Sequence, residues 1–138
     1  MKRALAAWLA ILLGGWPGGI GAEPDPVAEH YVLNCSGCHR LDGSGIPGVA
    51  PSLHDLAPIA STAAGRAYLA RVPGVAQAPL DDAELAALLD WVVAHFSGLP
   101  VERRFDVATV ARLRADPLRD PVDARRALTA PADDRPRP

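Results

Sequence analysis

The chain has 138 residues, with 14 Lys+Arg against 16 Asp+Glu and a formal net charge of -2. Hydrophobic residues make up 49%, which suits one packed domain and excludes a disordered tail, and the near-neutral charge excludes the basic field of a nucleic-acid binder. Aromatic residues are few (Trp 3, Tyr 2, Phe 2) for a core of this size, whereas Gly 12 and Pro 14 predict long loops.

Met1-Lys2-Arg3 is a short basic start, residues 4–13 carry no polar group, and Ala22 precedes Glu23 after a breaker-rich stretch. This is the layout of a secretory signal: a basic region, an apolar region and a small residue at the cut. Residues 1–22 are therefore expected to be a signal peptide, and the rest to work in the periplasm. An uncleaved anchor is the competing reading. The apolar run falls short of the ~20 residues that cross a bilayer, so no stable membrane insertion is expected after cleavage.

Residues 24–34 read as a helix. Pro26 suits a first turn, and Val27, Tyr31 and Cys35 recur at i, i+4 and i+8. The next five residues, Cys35-Ser36-Gly37-Cys38-His39, form C-x-x-C-H, which in an exported chain reads as a haem attachment site. Two thiols at this spacing, at the end of a helix, can reach one porphyrin edge and add to its two vinyl groups. The adjacent histidine can then give an imidazole nitrogen to the iron. Three other readings compete. A redox dithiol needs a βαβ setting that the pattern does not offer. A structural zinc site needs a second pair of ligands at suitable spacing. A local disulfide is compatible with an oxidising compartment.

Residues 40–60 lack periodicity and are punctuated by Gly43, Gly45, Pro47, Gly48 and Pro51, so an ordered loop is expected there. Residues 61–71 predict a short helix with Ser61 as its cap, and Pro73, Gly74 and Pro79 predict another loop. The strongest pattern covers 82–96. Asp81 and Glu84 sit at capping spacing, Leu85, Leu88, Leu89, Val92 and Phe96 make one apolar stripe, and Gly98 and Pro100 end it. Segment 23–99 has three arginines against nine acids, a balance of -6, whereas 100–138 has nine arginines against seven acids, +2. Weak helices are expected at 107–114 and 122–128, with Val110, Leu113 and Leu118 offering a small apolar contact. Their shortness and lack of evident caps favour a loosely attached, helical or partly disordered extension.

With the C-x-x-C-H motif in place, the chain resembles the soluble, monohaem class I cytochromes c over residues 24–98. Tyr31 stands four residues before Cys35, Ala50-Pro51-Ser52-Leu53 is similar to the family's Gly-Pro-x-Leu stretch, and 82–96 resembles its last helix. The resemblance implies a small all-α fold built around one covalently bound haem c, spanning 23–99, with 100–138 outside it. It implies that Cys35 and Cys38 attach the haem and that His39 is the proximal iron ligand. It further implies that the Pro51 carbonyl accepts the other ring N–H of His39, that Leu53 packs on the haem, and that Trp91 packs across the Tyr31 helix.

One feature departs from the family. Its members usually place an axial methionine on the loop before the last helix, but here residues 72–79 contain none, and Met1 is the one methionine in the chain. Gln77 is the only coordinating side chain in that loop, and His54 is a weak second candidate; His30 and His95 read as surface and boundary residues. The resemblance implies a periplasmic one-electron carrier, not an enzyme. Its partner would be a redox protein such as a periplasmic dehydrogenase or oxidase. The alternative is an open-site haem protein, a small-ligand sensor or a peroxidase-like enzyme, which the lack of an acid or base in 72–79 disfavours.

Overall fold

The computed structural model describes residues 25–98 and 104–130. The expected signal peptide and the end of the tail lie outside them. The described chain is all-α: α1 (Pro26–Asn34), α2 (Ser36–His39), a 3-10 turn (His54–Leu56), α3 (Ala57–Ala60), α4 (Ala63–Arg71), α5 (Pro73–Ala76), α6 (Asp82–Ser97), α7 (Val107–Arg114) and α8 (Pro121–Thr129). One isolated bridge, Ile46 to Ala50, pinches the loop after α2.

Helix α6 is the spine. The Asp81 carboxylate accepts the backbone N–H groups of Ala83 and Glu84 at 2.9 and 2.8 Å, while the Glu84 carboxylate accepts that of Asp81 at 2.8 Å. These reciprocal bonds satisfy donors that the first helical turn leaves open. Gly98, at φ 66, closes the other end. Leu85, Ala86, Leu88 and Leu89 are buried on one side of the helix. Helix α1, capped by Asp25, packs across α6. The Tyr31 ring, 2% exposed, lies 5.5 Å from that of Trp91 and 5.0 Å from that of Phe96.

Four local features differ from the sequence-based expectation. Part of the expected loop 40–60 is the 3-10 turn and α3, whose Leu56, Ile59 and Ala60 enter the core. Likewise the expected loop 72–79 contains α5, which Pro73 opens at a position where no N–H is needed. The cap of α4 is Thr62, not Ser61. Thr62 is extended (φ -106, ψ 153) and accepts the Gly65 N–H at 2.9 Å, whereas Ser61 is helical and donates its hydroxyl to the Pro58 carbonyl.

The fourth difference is the tail. The described part is seated on the core, not loosely attached. Val110 is 0% exposed, and Phe105, Leu113, Leu118 and Leu128 pack around the same cluster. Both tail helices also carry caps: Asp106 accepts the Thr109 N–H at 2.8 Å and Asp120 that of Asp123 at 2.9 Å. Arg71 and Asp116 pair at 2.6 Å, and the Leu118 N–H donates to the Arg71 carbonyl at 2.8 Å.

Candidate functional site

A concavity of about 860 Å³ opens between α1, the loop 44–53, α4, the α5 segment, α6 and α8. Its size sits in the upper part of the ~300–1,000 Å³ typical of ligand pockets. Leu53, Leu69, Leu85 and Leu89 are among the residues that line it. Such a wide, apolar cleft suits a flat, apolar ring and few polar groups.

The C-x-x-C-H residues stand at its edge because of a break in the first helix. Cys35 has left helical geometry (φ -125, ψ -36), yet its carbonyl accepts the His39 N–H at 2.9 Å, so α2 restarts at once in a new direction. This turn carries Cys35 and His39 into the cavity lining, whereas Cys38 is exposed at the surface beside it. Both thiols are free. Burial pushes the Cys35 thiol above its ordinary range.

The chain then reverses. Arg40 adopts φ 62, and the Tyr31 hydroxyl donates to its carbonyl at 2.6 Å. Burial, with the charges of Cys35 and Asp42 adding to it, raises the Tyr31 pKa to about 12, so that the hydroxyl keeps its proton for this bond. Gly45 N–H donates to the His39 carbonyl at 3.0 Å and Leu53 N–H to that of Gly43 at 2.8 Å. Gly45 has φ +74, and a Cβ there would stand 2.5 Å from the Ala50 carbonyl oxygen and 2.7 Å from that of Pro51. That close approach lays Pro51 beside the histidine.

His39 Nδ1 lies 3.0 Å from the Pro51 carbonyl oxygen. A carbonyl only accepts, so Nδ1 carries the proton and Nε2 keeps a lone pair. Burial holds the His39 pKa below its ordinary value. The Pro51 bond opposes this shift, and the positive charge of Arg125 adds to it. The imidazole is therefore neutral, oriented and able to donate electrons through Nε2.

Val72, Gly74, Val75 and Ala78, from the segment before α6, also wall the cavity. Neither sequence candidate for the far side of the iron reaches the cavity lining. Gln77 is exposed and outside the lining, and His54 is exposed with Nε2 2.7 Å from the Asp42 carbonyl oxygen. His30 is half-buried, with Nε2 3.7 Å from a Glu84 oxygen, and His95 stacks on Trp91 at 4.3 Å. Among the described residues, His39 is the one imidazole lining the cavity. Reasoning from sequence missed Tyr68, Arg125 and Arg126, all in the lining. Tyr68 was legible as a helical aromatic, but nothing in the local pattern tells which way α4 faces. The two arginines reach the cavity only because α8 folds back over it.

The residues present thus fit a haem: an apolar slot, a thiol at its edge, a second thiol three positions on, and a neutral imidazole with a free nitrogen. No protein-family model matches the chain. Among curated proteins, cytochrome c-552 of Thermus thermophilus is 31% identical over 140 aligned positions, which take in 86% of this chain and 90% of that protein. With the all-α architecture, this relationship over nearly the full length of both chains shows that the protein belongs to the c-type cytochromes.

Proposed function

We propose that the protein is a periplasmic, monohaem, class I one-electron carrier whose haem is bound through Cys35 and Cys38 and ligated by His39. The observation that carries the reading is the His39 imidazole, held by Pro51 in the lining of an apolar cavity that Cys35 also lines. A bound c-type haem supplies reversible one-electron exchange at its iron. The chain's own residues do the rest. Cys35 and Cys38 anchor the ring edge, so that dilution outside the cytoplasm cannot remove it. The Pro51 carbonyl fixes the tautomer and plane of His39 and strengthens its donor nitrogen. Leu53, Leu85 and Leu89 exclude water from the ring, which limits solvent rearrangement when charge moves. The -6 balance of segment 23–99 suits a partner with a basic docking patch, a dehydrogenase or an oxidase, and such docking weakens with salt. The basic start and apolar run at 1–22 support export by a cleaved signal.

The missing thioether sets this chain apart from the usual His/Met arrangement. A thioether ligand raises the reduction potential. With Met1 the one methionine, the midpoint is expected below that of methionine-ligated relatives, which a redox titration checks. The wall of Val72, Gly74, Val75 and Ala78 offers no side-chain ligand, which favours a second property, binding of small molecules at the iron. The same wall offers no acid or base, so peroxide turnover is expected to be weak. Absorption spectra of oxidised and reduced protein, with and without carbon monoxide, test the reading. A c-type spectrum that changes on adding carbon monoxide is expected. Absence of any haem spectrum from exported protein would overturn the carrier, and a low-spin spectrum indifferent to carbon monoxide would overturn the open position.

A further inference from the structure

We propose that Arg125 is the cation that receives a carboxylate of the tetrapyrrole, so that the tail helix α8 is part of the prosthetic-group site. The inference rests on the haem reading above and deepens it. Among the described residues, the cavity lining holds two permanent cations, Arg125 and Arg126, and no carboxylate. Both belong to α8. Arg126 is committed elsewhere: its guanidinium pairs with Asp123 at 2.5 Å and its side chain is 73% exposed. Arg125 is half-buried, and its guanidinium has no hydrogen bond or ion pair with any described residue. Its charge is close enough to His39 to be felt there. A partly desolvated guanidinium at the rim of an apolar cleft is costly until an anion meets it. The ring brings two carboxylates on one edge, and a guanidinium fork matches a carboxylate with two parallel bonds.

A cation paired to the ring favours the ferrous state, which carries one positive charge less than the ferric. Holoprotein variants Arg125→Gln, Arg125→Met, Arg125→Lys and Arg112→Gln test the assignment by midpoint potential against pH at low salt. Arg125→Gln and Arg125→Met are expected to move the ferric–ferrous equilibrium toward ferric by about three- to tenfold, the larger being about 59 mV for one electron. They should also give the potential a pH dependence that the parent lacks, because the carboxylate then titrates unpaired. Arg125→Lys should retain most of the parent value, and Arg112→Gln, at an exposed position outside the lining, should match the parent. Parent-like potential and pH profile in both neutral Arg125 variants would overturn the proposal, as would an equal shift in Arg112→Gln. Covalent haem in the parent separates the two readings. If it is present and the Arg125 variants are silent, only the arginine assignment fails; if it is absent, the haem reading itself fails.

Discussion

Gly65 and Asp90 show how single side chains set this fold. A Cβ on Gly65 would lie 1.8 Å from the Ile59 carbonyl oxygen, so α3 can cross α4 only because that atom is missing. Asp90, on α6, accepts the Phe105 N–H at 2.9 Å and so fastens the start of the tail. Burial raises its pKa, opposed by that bond and by the charge of Arg104. An acid whose folded-state pKa lies above its unfolded value costs stability when ionised, and the cost is relieved as pH falls through the folded value. Asp90→Asn keeps the acceptor and removes the charge. It should melt above the parent at pH 7, with the advantage shrinking as pH falls toward 4; Asp90→Ala should melt below the parent at pH 7. Thermal melts at the two pH values check this.

Among elements, α6 was fully legible because its start, stripe and stop are all local signals: Asp81 with Glu84, the leucines, and Gly98. Helices α3 and α5 were not, since four residues cannot display a helical period. The attachment of the tail was hidden for another reason, because its contacts are long-range. Arg114 shows this best. From α7 its guanidinium donates to the carbonyls of Ala76, Ala78 and Leu80 at 3.1, 2.7 and 2.8 Å and to Asp82 at 3.1 Å. One side chain thereby ties the wall segment 76–80 to the start of α6. Removing it takes a donor from three carbonyls and a carboxylate, of which the Ala78 carbonyl keeps the Leu80 N–H at 2.8 Å. Arg114→Ala is expected to cost about 1–3 kcal/mol, in the range for a broken, partly buried polar network. Arg114→Lys should recover little, since an ammonium cannot span the fork. Urea titrations of the holoprotein measure both. In the site, the C-x-x-C-H spacing singled out residues 35–39, and the resemblance to the family's Gly-Pro-x-Leu stretch singled out Pro51. The facing of Gln77 and His54 was not legible, because it depends on which side of a turn looks inward.

At the scale of the molecule, the core is arranged around a gap. An empty cavity of 860 Å³, charged at ~24 cal/mol per Å³, would cost ~20 kcal/mol. That is an upper bound for a cleft open to solvent, yet it exceeds the ~5–15 kcal/mol that a domain has in hand. The few aromatic residues cannot fill the space, and the haem proposed above would fill it. A chain with Cys35→Ser and Cys38→Ser, expressed without haem attachment, is expected to lose fixed near-ultraviolet dichroism and cooperative melting. Deleting 101–138 from the holoprotein uncovers the contacts of Val110 and removes Arg114, and a large fall in melting temperature is expected. An unchanged melt would show the tail to be dispensable.

The most direct measurement is the intact mass of the exported protein under denaturing conditions, with alkylation of any free thiol. The account predicts one chain carrying one haem that survives denaturation, begins at Glu23, and has Cys35 and Cys38 both closed to alkylation. A product without haem, whose two thiols alkylate or are joined to each other, would contradict it.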